Sequence, residues 1–229
     1  MEHKFKIKGP IFIGRSYEEY LKMFNLDLQK LRDKKILDCA AGASSFTARM
    51  TENGYDAKAA DILYDKEPSF LQNRCREHLT VLVEALADLE GHFVWDFFKD
   101  LDDLKQHRMN SCIEFYEDYK NNRANYIKAD LLNIPFKNNS FSLVLCSHLL
   151  FIYDHRLNYD FHINSVKEML RVTKNEVFVY PLVKHKSIKS EFVKRIEQDL
   201  DKNANIMIEK VDYEFRRGGN EMMKLQKLD

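Results

Sequence analysis

Three aspartates of this 229-residue chain each follow a short apolar run that is typical of a β-strand. They are Asp38, Asp61 and Asp130. If the three strands are parallel neighbours in one sheet, their carboxylates meet at the edge where open α/β sheets bind ligands. An ionised carboxylate accepts hydrogen bonds from hydroxyl and amino groups. The spacing therefore predicts a site for a ligand that is rich in such donors.

The loop after Asp38 is built from small residues and connects a strand to a helix. Ala40, Gly42 and Ser44 occupy its turn, so a ligand could approach the backbone and the free N–H groups of the next helix. Neither G-x-G-x-x-G nor the phosphate-binding Gly-Lys-Ser/Thr pattern is present. The loop therefore indicates a nucleotide-type pocket that follows neither of these two patterns. Asp38 could instead cap the helix that follows the loop.

The position of Asp61 points to a ribose. It lies about twenty residues after the glycine turn, the separation at which a carboxylate meets ribose hydroxyls. One carboxylate can accept two hydrogen bonds from a diol. The competing interpretation of Asp61 is a solvated turn residue, and Asp130 could likewise begin a turn.

The order of the predicted elements favours an α/β fold. Strands are predicted at 36–39, 55–60, 125–129, 141–147 and 176–183, and the runs 206–215 and 222–228 flank Gly-Gly-Asn as a hairpin. Helical patterns separate the first five strands. This alternation predicts a parallel sheet with right-handed crossovers, and the closing hairpin makes the last strand antiparallel.

The segment 63–124 has helical spacing and no strand pattern. Sixty residues are too many for a structureless loop, so we expect a helical insertion that forms a lid on one domain spanning 1–229. A capping box at Ser16 predicts a short helix before the first strand, and a second box at Ser111 predicts the start of a helix.

Together these features resemble the class I S-adenosylmethionine-dependent methyltransferases, in particular small uncharacterised bacterial members with a helical insertion after strand 2. The resemblance rests on Asp38 to Ser44, with two of three glycines replaced, on Asp61, and on the stretch 129–144. It covers about 36–181 and, more weakly, the hairpin. It implies a doubly wound, mostly parallel seven-stranded sheet of Rossmann-like type with the last strand antiparallel, and S-adenosylmethionine as cofactor.

The resemblance also implies roles for individual residues. Asp38 would hold the methionine ammonium group directly or through water, Asp130 would accept from the adenine amine, and the Leu131 N–H would face the ring. The full set of implied cofactor-binding residues is Asp38, Ala40, Gly42, Ser44, Asp61, Ile62, Asp130, Leu131 and Ser147.

The candidate catalytic residues follow the fourth strand, in a region that lines the space between cofactor and acceptor in related proteins. His148 and Tyr153 are the candidates, and histidine titrates near neutrality and could serve as a base. The alternatives are a backbone hydrogen bond for His148 and core packing for Tyr153. Arg15 could hold the cofactor carboxylate or lie on the surface.

Three other arginines have simpler interpretations. Arg108 is expected on the surface of an inserted helix, although it could instead face the acceptor. Arg216 and Arg217 are expected at the solvated tip of the hairpin, beside its Gly-Gly turn.

Composition limits the classes of partner that this chain is expected to bind. The 36 basic and 36 acidic residues cancel, which gives no global field for nucleic acid or an anionic membrane. No apolar run reaches the roughly 18 residues of a membrane-spanning helix, and the start is not a secretory signal. The four cysteines form no C-x-x-C pair, so we expect no metal site and reduced thiols in a cytoplasmic protein.

The sequence thus predicts a methyltransferase that acts on a small-molecule acceptor, without nucleic acid or membrane partners. The altered glycine pattern keeps a second hypothesis open, a non-catalytic S-adenosylmethionine-binding protein that acts through a partner. A nicotinamide oxidoreductase is disfavoured because G-x-G-x-x-G is missing. The acceptor, the methylated element and the oligomeric state are not specified by these patterns.

Overall fold

A computed structural model describes residues 7, 9–87, 90–184 and 187–228. In these ranges one sheet holds seven strands in the order β3-β2-β1-β4-β5-β7-β6. Their bounds are β1 (Lys35–Cys39), β2 (Asp56–Asp61), β3 (Tyr126–Lys128), β4 (Phe141–Ser147), β5 (Thr173–Tyr180), β6 (Ala204–Lys210) and β7 (Glu221–Lys227). Strands β1 to β5 are parallel, and β7 pairs antiparallel with both β5 and β6. The predicted sheet is confirmed.

The described part of the chain contains six α-helices, of which the first precedes β1 and the others lie between strands. Their bounds are α1 (Tyr17–Met23), α2 (Phe46–Glu52), α3 (Pro68–Ala87), α4 (Leu101–Asn121), α5 (Tyr159–Val172) and α6 (Glu191–Asp199). The capping box at Ser16 is present: its Oγ accepts from the Glu19 N–H, and the Glu19 carboxylate accepts from the Ser16 N–H. That box fixes where α1 begins.

Both faces of the sheet are covered, as the apolar strand sequences require. In β4, Leu143 and Leu145 belong to the buried cluster that includes α1 and α2. Val144 and Cys146 belong to the cluster that includes α5 and α6. Successive side chains of a strand point to opposite faces, so a continuous apolar run is what a doubly covered strand needs. Helices therefore lie on both sides of one core sheet.

The segment between β2 and β3 holds two long helices, α3 and α4. Helix α4 packs on the sheet through Phe115 and Tyr119, which share a buried cluster with Ala59 of β2. The prediction that Ser111 begins a helix is wrong. Ser111 lies inside α4, where its Oγ donates to the carbonyl of His107, and Asp100 caps the helix instead by accepting from the Asp103 N–H. The capping-box pattern at Ser111 does not reveal that the residues before it are already helical.

The segment that connects the two strands of the closing hairpin is longer than a tight turn. Strands β6 and β7 pair from Ala204 with Lys227 to Lys210 with Glu221, and 211–220 connect them. This connection contacts the segment between α3 and α4, where the Val94 N–H donates to the carbonyl of Phe215 at 2.7 Å. Within the described ranges, no helix has the length and apolar character needed to cross a membrane.

Candidate active site

A cavity of about 440 Å³ lies at the carboxyl edge of the parallel strands. Strand order reverses there, because β2 and β3 extend from one side of β1 and β4 and β5 from the other. Ligands of open α/β sheets bind at such a switch point. The walls come from the segment 10–15, α1, α3, α4, the loops after β1 to β4 and the β6–β7 connection. Among the described residues, no group of three or more His, Cys, Asp or Glu side chains is arranged to hold a metal ion.

The loop after β1 is tied to the end of β2 by Asp61. The Gly42 N–H donates to Asp61 Oδ2 at 3.1 Å, and the Leu63 N–H donates to Oδ1 at 2.9 Å. Gly42 has a φ of 61°, which suits glycine, while Ala40 has a φ of 53°. Burial raises the pKa of Asp61 above its ordinary value. Because each carboxylate oxygen accepts up to two hydrogen bonds, Asp61 keeps acceptor capacity for a ligand in the cavity.

The loops after β2 and β3 supply a second acceptor and an apolar surface. Asp130 is exposed, lines the cavity and accepts from the Leu132 N–H at 2.9 Å through Oδ1. The next residue, Leu131, is buried. Ile62 also lines the cavity, and 58% of its surface is exposed. Two carboxylates and an apolar side chain at neighbouring strand ends can together bind a flat ring that carries an amine and a diol.

Asp38 and Ser44 lie behind the wall of this cavity. Asp38 has no exposed surface, and its Oδ1 accepts from the hydroxyl of Tyr20 at 3.1 Å. Its Oδ2 is buried without a hydrogen-bond partner in the described part of the chain. Burial, together with the Asp61 charge, raises the pKa of Asp38 well above its usual range. Ser44 Oγ accepts from the Phe46 N–H at 3.0 Å and so supports the start of α2.

The other residues singled out from the sequence meet in one place. Those that line the cavity are Ala40, Gly42, Asp61, Ile62, Asp130, Leu131, Ser147, His148 and Tyr153. Tyr20, which no sequence pattern marked for this site, also lines it. Its position could be found only from the packing of α1 on the loop after β1.

His148 is held in one orientation at the end of β4. Its N–H donates to the carbonyl of Tyr180 at 2.7 Å, and its backbone has a φ of 56°. Arg15 Nε donates to His148 Nδ1 at 3.2 Å, and Ser147 Oγ lies 2.7 Å from the same nitrogen. Arginine can only donate, so Nδ1 is the acceptor and the neutral ring carries its hydrogen on Nε2.

The surroundings of His148 keep its ring neutral. Burial, followed by the charges of Arg15, Arg108 and Arg216, lowers the pKa of His148 well below its ordinary value. Tyr153 stays protonated as well, because burial raises the pKa of its hydroxyl. That hydroxyl accepts from the Ile11 N–H at 2.9 Å. Both side chains therefore offer hydrogen-bond donors at neutral pH.

Arg108 and Arg216 do not lie where the sequence predicted. Arg108 is 1% exposed and donates through Nη1 to the Glu19 carboxylate, which also accepts from the Tyr213 hydroxyl. Arg216 is half-buried and lines the cavity, so only Arg217 is at a solvated tip. Both expectations are wrong because tertiary contacts bring α1, α4 and the β6–β7 connection together, and local patterns do not report such contacts.

Comparisons with known proteins agree with this geometry. The family model described as a methyltransferase domain matches residues 103–180. Over 222 residues the chain is 35% identical to the uncharacterised protein MJ0045 of Methanocaldococcus jannaschii, which covers 96% of this chain and 98% of that protein. The PH0226 protein from Pyrococcus horikoshii OT3 has a similar fold, with a TM-score of 0.50 and 14% identity over 93% of this chain and 91% of that chain. PigF with SAH also gives a TM-score of 0.50, at 13% identity over 93% of this chain and 54% of that chain.

The chain belongs to the same family as the relative from Methanocaldococcus jannaschii. Its residues 103–180 match a methyltransferase domain, and this match supports the activity and the cofactor proposed below.

Proposed function

We propose that the cavity binds S-adenosylmethionine along the loops after β1, β2 and β3, and a small-molecule acceptor between His148, α3 and the β6–β7 connection. The observation that carries this proposal is the convergence of Asp61 and Asp130, from neighbouring strands, on one cavity at the switch point. Their spacing suits an adenosyl group, since its donors are the ribose hydroxyls and the adenine amine.

The proposal gives each residue at this end of the cavity a role. Asp61 accepts from the ribose hydroxyls, Asp130 accepts from the adenine amine, and the Leu131 N–H faces the ring. The exposed side chain of Ile62 packs on the adenine face, which would cover an apolar surface now open to the cavity. The backbone at Ala40 and Gly42 allows close approach of the ligand.

The methionine part of the cofactor is assigned to the other side of the loop after β1. Asp38 reaches its ammonium group through water, an assignment supported by an Oδ2 that is buried without a partner in the described structure. Ser44 supports the loop from behind through the Phe46 N–H. Ser147, at the end of β4, lines the cavity between cofactor and acceptor.

When bound, the cofactor would supply an electrophilic methyl group on a positively charged sulfur, and that sulfur would leave as a neutral thioether once the lone pair of an acceptor atom bonds to the methyl carbon. The chain's own residues orient the two molecules and exclude water. His148 donates from Nε2 and Tyr153 donates from its hydroxyl, so both position the acceptor. His148 is not arranged as a base, because its Nδ1 already accepts from Arg15 and its Nε2 carries the hydrogen.

The insertion at about 63–124 is proposed to act as a lid within a single domain that spans 1–229. Helix α3 contributes Arg74, Leu82 and Leu86 to the cavity wall. A cavity closed over by a helix suits a small acceptor better than a nucleic acid or a membrane surface. The cytoplasmic location predicted from the sequence stays part of this proposal, and the four described cysteines are free and buried.

The experiment uses the full chain with methyl-labelled S-adenosylmethionine and a metabolite extract that is separated into small-molecule and macromolecular fractions. We expect label to move into the small-molecule fraction. Label in nucleic acid or protein would overturn the small-molecule acceptor. Tight binding of S-adenosylhomocysteine without transfer to any fraction would favour the non-catalytic hypothesis.

A further inference from the structure

Helix α3 contributes one guanidinium group to the wall of the cavity. Arg74 lines the cavity and is half-buried. Its Nε atom is buried without a hydrogen-bond partner in the described part of the chain. A buried donor that lacks an acceptor costs free energy, and more so when the group is charged. Arg74 therefore favours a ligand that brings hydrogen-bond acceptors to this part of the wall.

The packing around Arg74 fixes its place in the cavity. The next residue on α3, Cys75, shares a buried cluster with Ala59 of β2. One turn further along the helix, His78 Nδ1 accepts from the Phe12 N–H at 2.8 Å. This part of α3 is thus held between β2 and the chain that precedes α1, so Arg74 belongs to the end of the cavity where β2 finishes.

The other cavity residues of α3 lie further from this end. Leu82 and Leu86 line the cavity and follow Arg74 in the row of side chains that recurs every four residues. Twelve residues of helix rise by about 18 Å, so Leu86 is far from Arg74 along the axis. The charged side chain of α3 is therefore at the proposed cofactor end, and its apolar side chains extend towards the proposed acceptor.

Asp61, the last residue of β2, lies within the field of Arg74. Burial raises the pKa of Asp61, and the positive charge of Arg74 acts in the opposite direction. Among the described residues, the hydrogen bonds to the Asp61 carboxylate come from the N–H groups of Gly42 and Leu63 and not from Arg74. A carboxylate and a guanidinium thus face the same cavity, each with hydrogen-bonding capacity left.

A pair of hydroxyl groups fits between these two side chains better than other small groups do. A hydroxyl donates one hydrogen bond and also accepts, whereas the Asp61 carboxylate only accepts and Arg74 only donates. An ammonium group would suit Asp61 but would meet the donors of Arg74, and an anion would suit Arg74 but would be repelled by Asp61. Hydrogen bonds to ionised partners are also stronger than those between neutral groups.

We propose that Arg74 is a further cofactor-binding residue, which donates to the ribose hydroxyl oxygens of the adenosyl group while Asp61 accepts from the same hydroxyls. Helix α3 then binds the cofactor as well as covering the cavity. The inference rests on the proposed function, because that function places the ribose at Asp61.

The test compares adenosine with dideoxyadenosine, which lacks both hydroxyls of the ribose diol. Calorimetry with the full chain measures the affinity for each nucleoside and for S-adenosylhomocysteine. We expect the wild type to bind adenosine about tenfold or more tightly than dideoxyadenosine, as hydrogen bonds to charged groups imply. Arg74→Met keeps an apolar stem and removes every donor. It should weaken adenosine binding by about tenfold and leave dideoxyadenosine within about twofold.

The control is Arg76→Met, at an exposed position of the same helix, which should change each affinity by less than about twofold. Circular dichroism checks that both variants are folded. A folded Arg74→Met protein that keeps the full preference for adenosine overturns the inference. An equal loss for both nucleosides also overturns it, because Arg74 would then act on something other than the hydroxyls.

The same measurements separate this inference from the proposed function. A wild type that binds S-adenosylhomocysteine but does not distinguish the two nucleosides contradicts the role of Arg74 and leaves the cofactor cavity in place. Failure of S-adenosylhomocysteine to bind contradicts the proposed function instead, and the two nucleosides still report whether Arg74 recognises a ribose diol.

Discussion

The two ends of the cavity are assembled in different ways. The proposed cofactor end consists of short loops at the tips of adjacent strands, with Asp61 as the last residue of β2 and Asp130 in the loop after β3. The acceptor end draws Arg15 from before β1, Arg108 from α4 and Arg216 from the β6–β7 connection. The first arrangement follows from sheet topology alone, whereas the second depends on packing between distant segments. Binding a cofactor that many proteins share requires only the first arrangement, whereas binding a particular acceptor requires the second.

The strongest test of the second arrangement removes its buried ion pair. Arg108→Met should lower the free energy of unfolding by about 3–5 kcal/mol, because it leaves the Glu19 carboxylate buried without a cation. Urea unfolding followed by circular dichroism measures the loss. Lys105→Met, at an exposed position of the same helix, is the matched control and should change stability by less than about 0.5 kcal/mol.

The pH dependence of that loss sharpens the test. Burial alone would raise the pKa of Glu19, but the charge and hydrogen bond of Arg108 outweigh burial and lower it. A lowered carboxyl pKa in the folded protein gives stability that is present at neutral pH and is lost as the pH falls. Without Arg108, acid should instead relieve the buried charge, so the difference between variant and wild type should shrink as the pH falls from 7 to about 4. A difference that stays constant from pH 7 to pH 4 would show that Glu19 is not the cause.

The cofactor end is tested by Asp61→Asn, which keeps the shape of the side chain. We expect the affinity for S-adenosylhomocysteine to fall by about 1–3 kcal/mol, the range for a hydrogen bond to a charged group. Calorimetry measures it, and Asp56→Asn at the exposed start of the same strand is the control. Unchanged affinity in a folded Asp61→Asn protein would falsify the ribose assignment.

His148 lies where the two ends meet, and its predicted effect is smaller. His148→Ala should lower kcat about tenfold with little change in cofactor affinity, because it removes one donor to the acceptor. His148→Gln, which keeps an N–H group, should restore part of the rate. The pKa of His148 is held well below its ordinary value. We therefore expect the pH profile of the wild-type rate to contain no inflection near pH 6.5 that comes from His148, so wild type and variants should have the same profile in that range. Such an inflection would make His148 a titrating base.

The smallest effect is expected for Tyr153→Phe. It removes the oxygen that accepts from the Ile11 N–H, so unfolding should become easier by about 1 kcal/mol and kcat should fall a few-fold. Urea titration and steady-state rates measure the two effects, with Tyr116→Phe of α4 as control. A loss of stability without any loss of rate would assign Tyr153 to the wall of the cavity only.

Sequence reasoning succeeded where local patterns decide the structure. Strand β4 was predicted with its observed bounds because a continuous apolar run at 141–147 fits a strand covered on both faces. Asp61 and Asp130 line one cavity because parallel strands place their carboxyl ends at one edge of the sheet. The capping box at Ser16 was correct for the same reason, since all its contacts are within one turn.

The sequence failed where the contact partners are distant along the chain. The box-like pattern at Ser111 lies within α4, and the choice between helix start and helix interior depends on the residues before it. The pattern of α4 suggests an exposed position for Arg108, yet Glu19, far away along the chain, compensates its charge, and the Tyr213 hydroxyl donates to the same carboxylate. Asp38 was expected to face the cavity, but Tyr20, packed in front of it, accounts for one of its oxygens.

Gly14 lies in a narrow gap between two segments that contribute to the cavity. A Cβ atom at Gly14 would lie 2.7 Å from the carbonyl oxygen of Ala43 and 2.7 Å from Cβ of Ser111, so the backbone there fills the gap between the loop after β1 and α4. Any side chain at position 14 would therefore have to push this loop away from the helix that carries Arg108, and only glycine lets the two segments lie this close together.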